Sequence, residues 1–147
     1  MDTHTPNARR LLQLFHQMRD AKPGSAIRRL QELNLSMSHI RFMHVLLPDH
    51  SLPMKELADA LVLTPPSVTA LTRRLVQTGM VQRDADSTDS RVTLLSLTDE
   101  GRALLRDMYD QHLNDMERLL DGLTPDEQEQ FLNLMERAVS ALREIPK

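Results

Sequence analysis

The chain has 147 residues, of which 18 are Lys or Arg and 21 are Asp or Glu, so its formal charge at pH 7 is −3. This length suits one compact domain, or one lobe with a dimerisation extension. The absence of cysteine excludes a disulfide framework, a thiolate zinc site and a thiol nucleophile or redox sensor. The sequence contains neither a Gly-rich phosphate-binding loop nor an apolar run of transmembrane length. We therefore expect a cytoplasmic protein that is not an enzyme and carries no cofactor.

Charge is distributed unevenly along the chain. Residues 1–83 carry 11 basic and 6 acidic side chains, whereas residues 84–147 carry 7 and 15. The segment from Ala60 to Arg83 contains three arginines, Arg73, Arg74 and Arg83, but no acid. A basic island in an acidic chain is what a phosphate-facing surface needs, although three arginines also fall together by chance.

The first part of the chain predicts three helices. Apolar residues at spacings of three and four predict an amphipathic helix over residues 7–21, which Pro23–Gly24 ends. A second helical pattern spans about residues 26–33. Ser36–His39 then leads into a third helix, which stops at Pro48–Asp49.

A tight turn follows the next predicted helix, residues 53–61. Thr64 is a good N-cap, and Pro65 falls at the first helical position, where its missing N–H costs nothing. The helix that begins there runs to about Gln77, and Gly79 suits the left-handed position beyond its end.

After Gly79 the pattern becomes that of strands. Residues 80–84 and 91–97 predict a β-hairpin with a long, flexible tip over residues 85–90. Two short helices joined by a tight turn and followed by a hairpin make a winged helix-turn-helix.

Two further helices complete the chain. Thr98 caps a helix over about residues 99–121, and a capping box at residues 124–127 begins the last helix, residues 125–145. The terminal helices are too apolar for the small central core, so we expect them to pack against one another and against a second copy of the chain.

The predicted fold class is therefore mainly α with a small β-hairpin wing (α+β). We expect one domain over residues 1–147, with a winged helix-turn-helix lobe at about 35–98. Helical dimerisation segments at about 7–33 and 99–147 flank that lobe.

The helix from Pro65 to Gln77 has one face suited to a major groove. At 100° per residue, Val68, Leu71, Thr72 and Leu75 face the core, whereas Pro66, Ala70, Arg73 and Gln77 face outward with Thr69 and Arg74 on the flanks. Arg pairs with guanine, Gln pairs with adenine, and the methyl groups of Ala and Thr contact thymine. The N-terminus, with Ser67 in its first turn, offers N–H groups to a phosphate. The alternative is an ordinary solvated helix face, which the adjacent hairpin makes less attractive.

A set of short motifs in a fixed order carries a family resemblance. The segments are 54–61 (MKELADAL), 66–71 (PSVTAL), 74–75 (RL), 79–83 (GMVQR), 89–91 (DSR) and 97–101 (LTDEG). With these motifs the stretch from Leu35 to Leu105 resembles the MarR family of bacterial transcription regulators.

The resemblance implies a homodimer held by the first helix and the last two. Each subunit would present its winged helix-turn-helix to one half of a pseudo-palindromic operator, with half-sites about 10 base pairs apart. It further implies that Arg91 enters the minor groove and that Asp89 holds it; strand geometry, in which residues two apart share a face, agrees. The expected DNA-binding residues are Thr64, Pro66, Ser67, Thr69, Ala70, Arg73, Arg74, Gln77, Asp89 and Arg91.

The sequence departs from the family pattern in two places. Ala70 stands where many relatives carry an arginine, and the wing segment 84–91 carries three acids against Arg91 alone. Both features suggest modest affinity, or reliance on a specific sequence and shape.

The resemblance also implies a ligand crevice between the DNA-binding lobe and the dimerisation helices. Small aromatic or phenolic acids are the expected ligands, and the candidate residues are His16, Met18, His39, Phe42, Met43 and Met108. The alternative is that these are core and cap residues. Metal sensing through His16, His39, His44 and His112 is less favoured, since these histidines lie on different predicted helices and form no ligand pair.

Together these features predict a dimeric, DNA-binding transcription regulator, more readily a repressor than an activator, that a small ligand relieves. The alternative is a winged-helix adaptor that binds other proteins. An adaptor needs an exposed apolar patch, whereas the predicted outward face of the helix after Thr64 is polar and free of acids.

Overall fold

The computed structural model describes residues 4–20 and 24–143, and these are mostly helical. The described residues form α1 (Pro6–Arg19), α2 (Ser25–Glu32), α3 (Met37–Val45), β1 (Leu52–Pro53), α4 (Met54–Leu61), α5 (Pro65–Gln77), β2 (Val81–Ala85), β3 (Thr93–Leu97), α6 (Asp99–Leu120) and α7 (Pro125–Arg143). The predicted fold class is confirmed. The predicted last residues of the first and last helices, 21 and 145, lie outside the described ranges.

The chain divides into two compact units, Met1–Met108 and Tyr109–Lys147. The first unit contains the hydrophobic core, to which α2 to α5, the sheet and the first turns of α6 contribute. Its fully buried side chains include Phe42, Met43, Leu46, Leu57, Leu75, Leu95, Leu97 and Leu104. Helix α1 contributes no residue to this core, and its Leu11, Leu12, Leu14, Phe15 and Met18 are exposed.

The sheet is antiparallel and has the strand order β1-β3-β2. Strands β2 and β3 form the predicted hairpin, in the register Arg83 opposite Leu95. Strand β1 was not predicted; it adds to the other edge of β3 and places Leu52 opposite Leu95. The wing therefore belongs to a three-stranded sheet, in which β3 pairs with two strands instead of one.

Hydrogen bonds join residues across the tip of the wing, where the sequence predicts a long, flexible tip. The backbone N–H of Asp86 donates to the carbonyl of Val92 at 3.0 Å, and the N–H of Val92 donates to the carbonyl of Asp89 at 3.0 Å. The side chain of Asp86 also accepts from the backbone N–H of Thr88 at 3.1 Å. These bonds form a compact turn between the two strands.

The turn between α4 and α5 is closed by a left-handed residue. The N–H of Leu63 donates to the carbonyl of Ala58 at 3.0 Å, and the N–H of Val62 donates to the carbonyl of Asp59 at 3.2 Å. This pattern requires a left-handed residue, and Val62 supplies it with a φ of 55°. Helix α5 ends in the same way at Gly79, which has a φ of 74° as predicted from its position.

The second unit contains the end of α6 and the whole of α7. As predicted, a capping box begins α7: the N–H of Thr124 donates to Glu127 Oε2 at 2.8 Å, and the N–H of Glu127 donates to Thr124 Oγ1 at 3.4 Å. The backbone N–H and the hydroxyl of Thr124 both donate to the Glu127 carboxylate, and these two bonds lower the pKa of Glu127. Gln128 Nε2 donates to the carbonyl of Leu120 at 3.0 Å and so ties α7 to the end of α6.

The apolar side chains of this second unit are largely uncovered. No described residue of α7 is buried. Its exposed apolar residues, with those of α6 in the same unit, are Tyr109, Leu113, Met116, Leu119, Phe131, Leu132, Leu134, Met135, Val139 and Leu142. Among the described residues, no helix is long and apolar enough to cross a bilayer.

Candidate nucleic-acid interface

The N-terminus of α5 has fewer N–H groups to offer than expected. Thr64 is the N-cap residue, but its Oγ1 lies 2.9 Å from the hydroxyl oxygen of Ser67 and bonds no backbone N–H. Pro65 and Pro66 have no N–H. Ser67 is therefore the first residue of the helix that can donate a backbone hydrogen bond to a phosphate.

The two faces of α5 follow the helical prediction. Val68, Thr72 and Leu75 are buried, and the Thr72 hydroxyl donates to the carbonyl of Val68 at 2.7 Å, which satisfies this buried polar group. Pro65 and Ser67 in the first turn are exposed, and the structure brings Pro66, Thr69, Ala70, Arg73 and Gln77 together on one exposed surface. The Thr69 hydroxyl donates to the carbonyl of Pro65 at 3.0 Å. This surface carries a positive charge and no acid.

Arg74 differs from its predicted place on the flank of this surface. Its Nη2 donates to the carbonyl oxygen of Leu33 at 2.6 Å, and the residue is partly buried. Its Nε is fully buried and has no hydrogen-bond partner among the described residues. The long side chain of Arg74 reaches back over the lobe to the end of α2, so the geometry gives its guanidinium a protein partner in place of the expected phosphate.

In the wing, Asp89 and Arg91 form the predicted pair. Arg91 Nε lies 3.2 Å from Asp89 Oδ1, and 90% of the Arg91 side chain is exposed. The same Asp89 oxygen accepts from the backbone N–H of Arg91 at 3.1 Å. Both residues lie in the turn that precedes β3, so the strand alternation that we expected to align them does not apply. The turn itself brings the carboxylate to both donors.

The wing also carries the acids that distinguish this sequence. Gln82 Nε2 donates to Asp84 at 3.4 Å, and Asp86 is engaged with Thr88. Arg83 is exposed on β2 between these groups. The segment from Arg83 to Arg91 thus carries two arginines and three acids, and Arg83 and Asp84 point to opposite faces of β2.

The six predicted ligand-crevice residues differ in exposure. Phe42 and Met43 are fully buried in the core of the lobe. Met108 is partly buried against the same core. His16 and Met18 are exposed on α1.

His39 is a helix-cap residue, as the alternative interpretation had it. Its Nδ1 accepts from the backbone N–H of Ser36 at 3.0 Å and lies 2.9 Å from the hydroxyl oxygen of Ser36, which completes a capping box at the start of α3. Partial burial lowers the pKa of His39, and the positive charge of Arg74 lowers it further. The imidazole is therefore neutral at neutral pH, with Nδ1 free of a proton.

Within the described ranges, no group of three or more His, Asp or Glu side chains is placed to hold a metal ion. The exposed face of α5 offers the polar groups of Thr69, Arg73 and Gln77 beside the apolar Pro66 and Ala70.

Comparisons with known proteins agree with this geometry. Residues 35–93 match the MarR family model. The transcriptional regulator MhqR of Bacillus subtilis is 28% identical over 85 residues, which cover 58% of this chain and 59% of MhqR. The transcriptional repressor MdtR of the same organism is 32% identical over 91 residues, which cover 62% of this chain and 59% of MdtR. The match thus spans less than two thirds of either relative.

A solved structure extends the likeness in fold to nearly the whole chain. The complex of S. aureus MepR with DNA superposes with a TM-score of 0.72 at 22% identity, over 91% of this chain and 96% of that chain. The family-model match, residues 35–93, includes the exposed polar face of α5 and the Asp89–Arg91 pair. Over residues 35–93 the chain is thus similar to the MarR family, and over nearly its whole length it shares the fold of MepR.

Proposed function

We propose that the protein regulates transcription by binding double-stranded DNA through α5 and the wing. The observation that carries this proposal is the acid-free exposed face of α5, with Arg73 and Gln77 pointing outward, beside a wing that presents Arg91. Arg73 and Gln77 have the hydrogen-bonding groups that read guanine and adenine in a major groove, and Arg91 suits a narrow minor groove. MepR, which shares this fold, has been solved in complex with DNA, and this supports the proposal of DNA binding.

The proposal includes a homodimer. Helix α7 buries no described residue, and its apolar side chains, such as Phe131 and Leu134, are exposed. An apolar surface of this extent marks an interaction site in soluble proteins. A second copy of the chain would cover it and would present a second α5 to the other half of a pseudo-palindromic operator, with half-sites about 10 base pairs apart.

We further propose that the protein acts in the cytoplasm as a repressor, the activity that the name of MdtR gives. Relief by a small aromatic or phenolic acid is proposed on the family resemblance. Of the six residues first considered, His16, Met18, His39 and Met108 have accessible surface for such a ligand, whereas Phe42 and Met43 do not.

The test is a fluorescence-anisotropy titration of the protein on the DNA upstream of its own gene and on a random duplex, at two salt concentrations. A double variant, Arg73→Ala with Arg91→Ala, is measured beside it. We expect saturable, salt-sensitive binding that the double variant loses. Equal binding to both duplexes, with no effect of the double variant, would contradict the proposal and favour the adaptor.

A further inference from the structure

Two adjacent arginines of α5 have different surroundings. Arg73 is exposed on the outward face, whereas Arg74 extends to the carbonyl of Leu33, 41 residues earlier in the chain. The bond between Arg74 Nη2 and the Leu33 oxygen is 2.6 Å long, in the short range typical of a charge-assisted hydrogen bond. Such a contact joins the recognition helix to a distant part of the same lobe.

The acceptor is a carbonyl that α2 leaves without a helical partner. The last carbonyls of a helix have no N–H below them. At the end of α2, the N–H of Asn34 donates to the Gln31 carbonyl and the N–H of Leu35 donates to the Leu30 carbonyl, with Asn34 at a φ of 54°. These bonds satisfy two of the last carbonyls, and Arg74 supplies the donor for Leu33. The guanidinium also lies at the negative end of the α2 dipole, which favours a cation.

The same guanidinium lies close to the start of α3. Its positive charge is one cause of the lowered pKa of His39, whose Nδ1 completes the capping box of that helix. Arg74 therefore lies where α2 ends, α3 begins and α5 crosses them. Its Nε is buried and has no hydrogen-bond partner among the described residues, so this part of the guanidinium is shielded from solvent.

We infer that Arg74 is a positioning residue for DNA recognition, because its hydrogen bond to the Leu33 carbonyl fixes the rotation and tilt of α5 against the α2–α3 junction. This inference rests on the proposed function. A rotation of α5 by a fraction of one residue step would move Arg73 and Gln77 off the base edges, since successive residues are 100° apart. Arg74 acts through these two residues and itself makes no contact with DNA.

The first test needs no DNA. The side-chain Nε–Hε signals of Arg73 and Arg74 are assigned by nuclear magnetic resonance in the full-length protein, each with its Arg→Lys variant. We expect the Arg74 Hε to exchange with solvent at least ten times more slowly than the Arg73 Hε. Equally fast exchange of both protons would show that Arg74 is not held in place. This result would overturn the inference whether or not the protein binds DNA.

The second test uses a duplex selected from a random library and variants that carry one mismatch at a base-reading position. Arg74→Gln and Arg74→Lys are compared with wild type, after thermal unfolding has shown that each variant is folded at the assay temperature. We expect both variants to lose discrimination against the mismatch while the slope of log K against log salt stays that of wild type. A phosphate contact would behave differently: Arg74→Lys would retain binding, and Arg74→Gln would reduce the slope by about 0.9.

The two tests separate the inference from the proposed function. If the Arg74 Hε is protected but the protein selects no duplex, the proposal of DNA binding is contradicted. The hydrogen bond from Arg74 to Leu33 would then only stabilise the lobe, and its role in recognition would be overturned. If the protein binds DNA, Arg74→Lys keeps discrimination against the mismatch and Arg74→Gln reduces the salt slope, then Arg74 contacts a phosphate. That result would overturn the inference directly.

Discussion

Gly101 in the first turn of α6 lies against the backbone of Met80. A Cβ placed on Gly101 would be 2.1 Å from the Met80 carbonyl oxygen, far inside van der Waals contact. The same carbonyl accepts from the backbone N–H of Thr98 at 3.1 Å, and Thr98 Oγ1 accepts from the N–H of Gly101 at 3.0 Å. The start of α6 and the start of the wing are thus held so closely that only glycine fits between them.

We expect Gly101→Ala to destabilise the protein by at least about 1–3 kcal/mol, the usual cost of overpacking, because the obstacle is backbone and not a movable side chain. Chemical denaturation measures the free energy of unfolding. Gly122→Ala is the matched control, since the nearest atom to its Cβ would be at 3.7 Å. Similar stabilities of the two variants would show that α6 can move away from Met80.

Val62 is strained, because a β-branched residue is held at a φ of 55° with 89% of its surface exposed. The left-handed conformation costs an L-residue about 1–2 kcal/mol, and replacement by glycine removes this cost. The larger chain entropy of glycine in the unfolded state takes back about 0.5–1 kcal/mol of the gain. Val62→Gly should therefore raise the free energy of unfolding by about 0.5–1 kcal/mol. Val62→Ala keeps most of the strain and should change it little. A destabilised Val62→Gly would mean that the valine side chain makes a contact that its exposure does not indicate.

The stability of the lobe should depend on the protonation of His39. Its pKa is lowered in the folded protein, by burial and by Arg74, so below its ordinary value of about 6.5 the unfolded chain binds more protons than the folded one. The contribution of neutral His39 to the free energy of unfolding is present in full above about pH 6.5 and is lost as the pH falls through the lowered pKa.

His39→Gln tests this dependence, because glutamine at the same position completes a capping box without titrating. We expect the wild type to lose more stability than His39→Gln between pH 7 and pH 5, as followed by thermal unfolding. The other five histidines are present in both proteins and cancel in the difference. Parallel pH profiles would contradict the role of His39.

Asp89 should strengthen DNA binding although it is negatively charged. Its carboxylate fixes Arg91 through two hydrogen bonds, and ordering a long side chain costs about 0.5–1.5 kcal/mol on binding. We expect Asp89→Ala to weaken operator binding by about this amount in anisotropy titrations. Asp84→Ala removes the same charge from the wing without releasing Arg91, so it should bind as well as wild type or better. Tighter binding by Asp89→Ala would mean that repulsion by the phosphates outweighs the fixing of Arg91.

The exposed apolar face of α7 predicts the oligomeric state. Deletion of residues 125–147 should give a monomer or an aggregate in sedimentation velocity, because it removes the proposed dimer surface. Phe131→Lys with Leu134→Lys should shift the full chain towards monomer, whereas Asn133→Lys, at an exposed polar position, should not. A soluble dimer of the truncated chain would place the dimer surface elsewhere.

The sequence predicted the helices, the hairpin and the outward face of α5, because each depends on local periodicity and on caps such as Thr98 and Gly79. It did not predict β1, since two residues, one of them proline, carry no periodic signal and pair with a strand about 40 residues later. It placed Arg74 on a flank because a helical wheel gives the direction of Cβ and not the reach of a long side chain. The family resemblance, and not residue type or spacing, suggested a ligand crevice at Phe42 and Met43, whose burial in the core depends on tertiary packing.

Strand β3 pairs with β1 on one edge and with β2 on the other, and Leu95 lies between Leu52 and Arg83 in the two registers. Residue Pro53 of β1 leads directly into Met54, the first residue of α4. Hydrogen bonds between strands resist sliding. We therefore expect a force applied at Arg91 to be transmitted through β3 and β1 to the start of the helix-turn-helix. The wing and the helix-turn-helix should then move together, with Leu95 at the centre of the sheet that joins them.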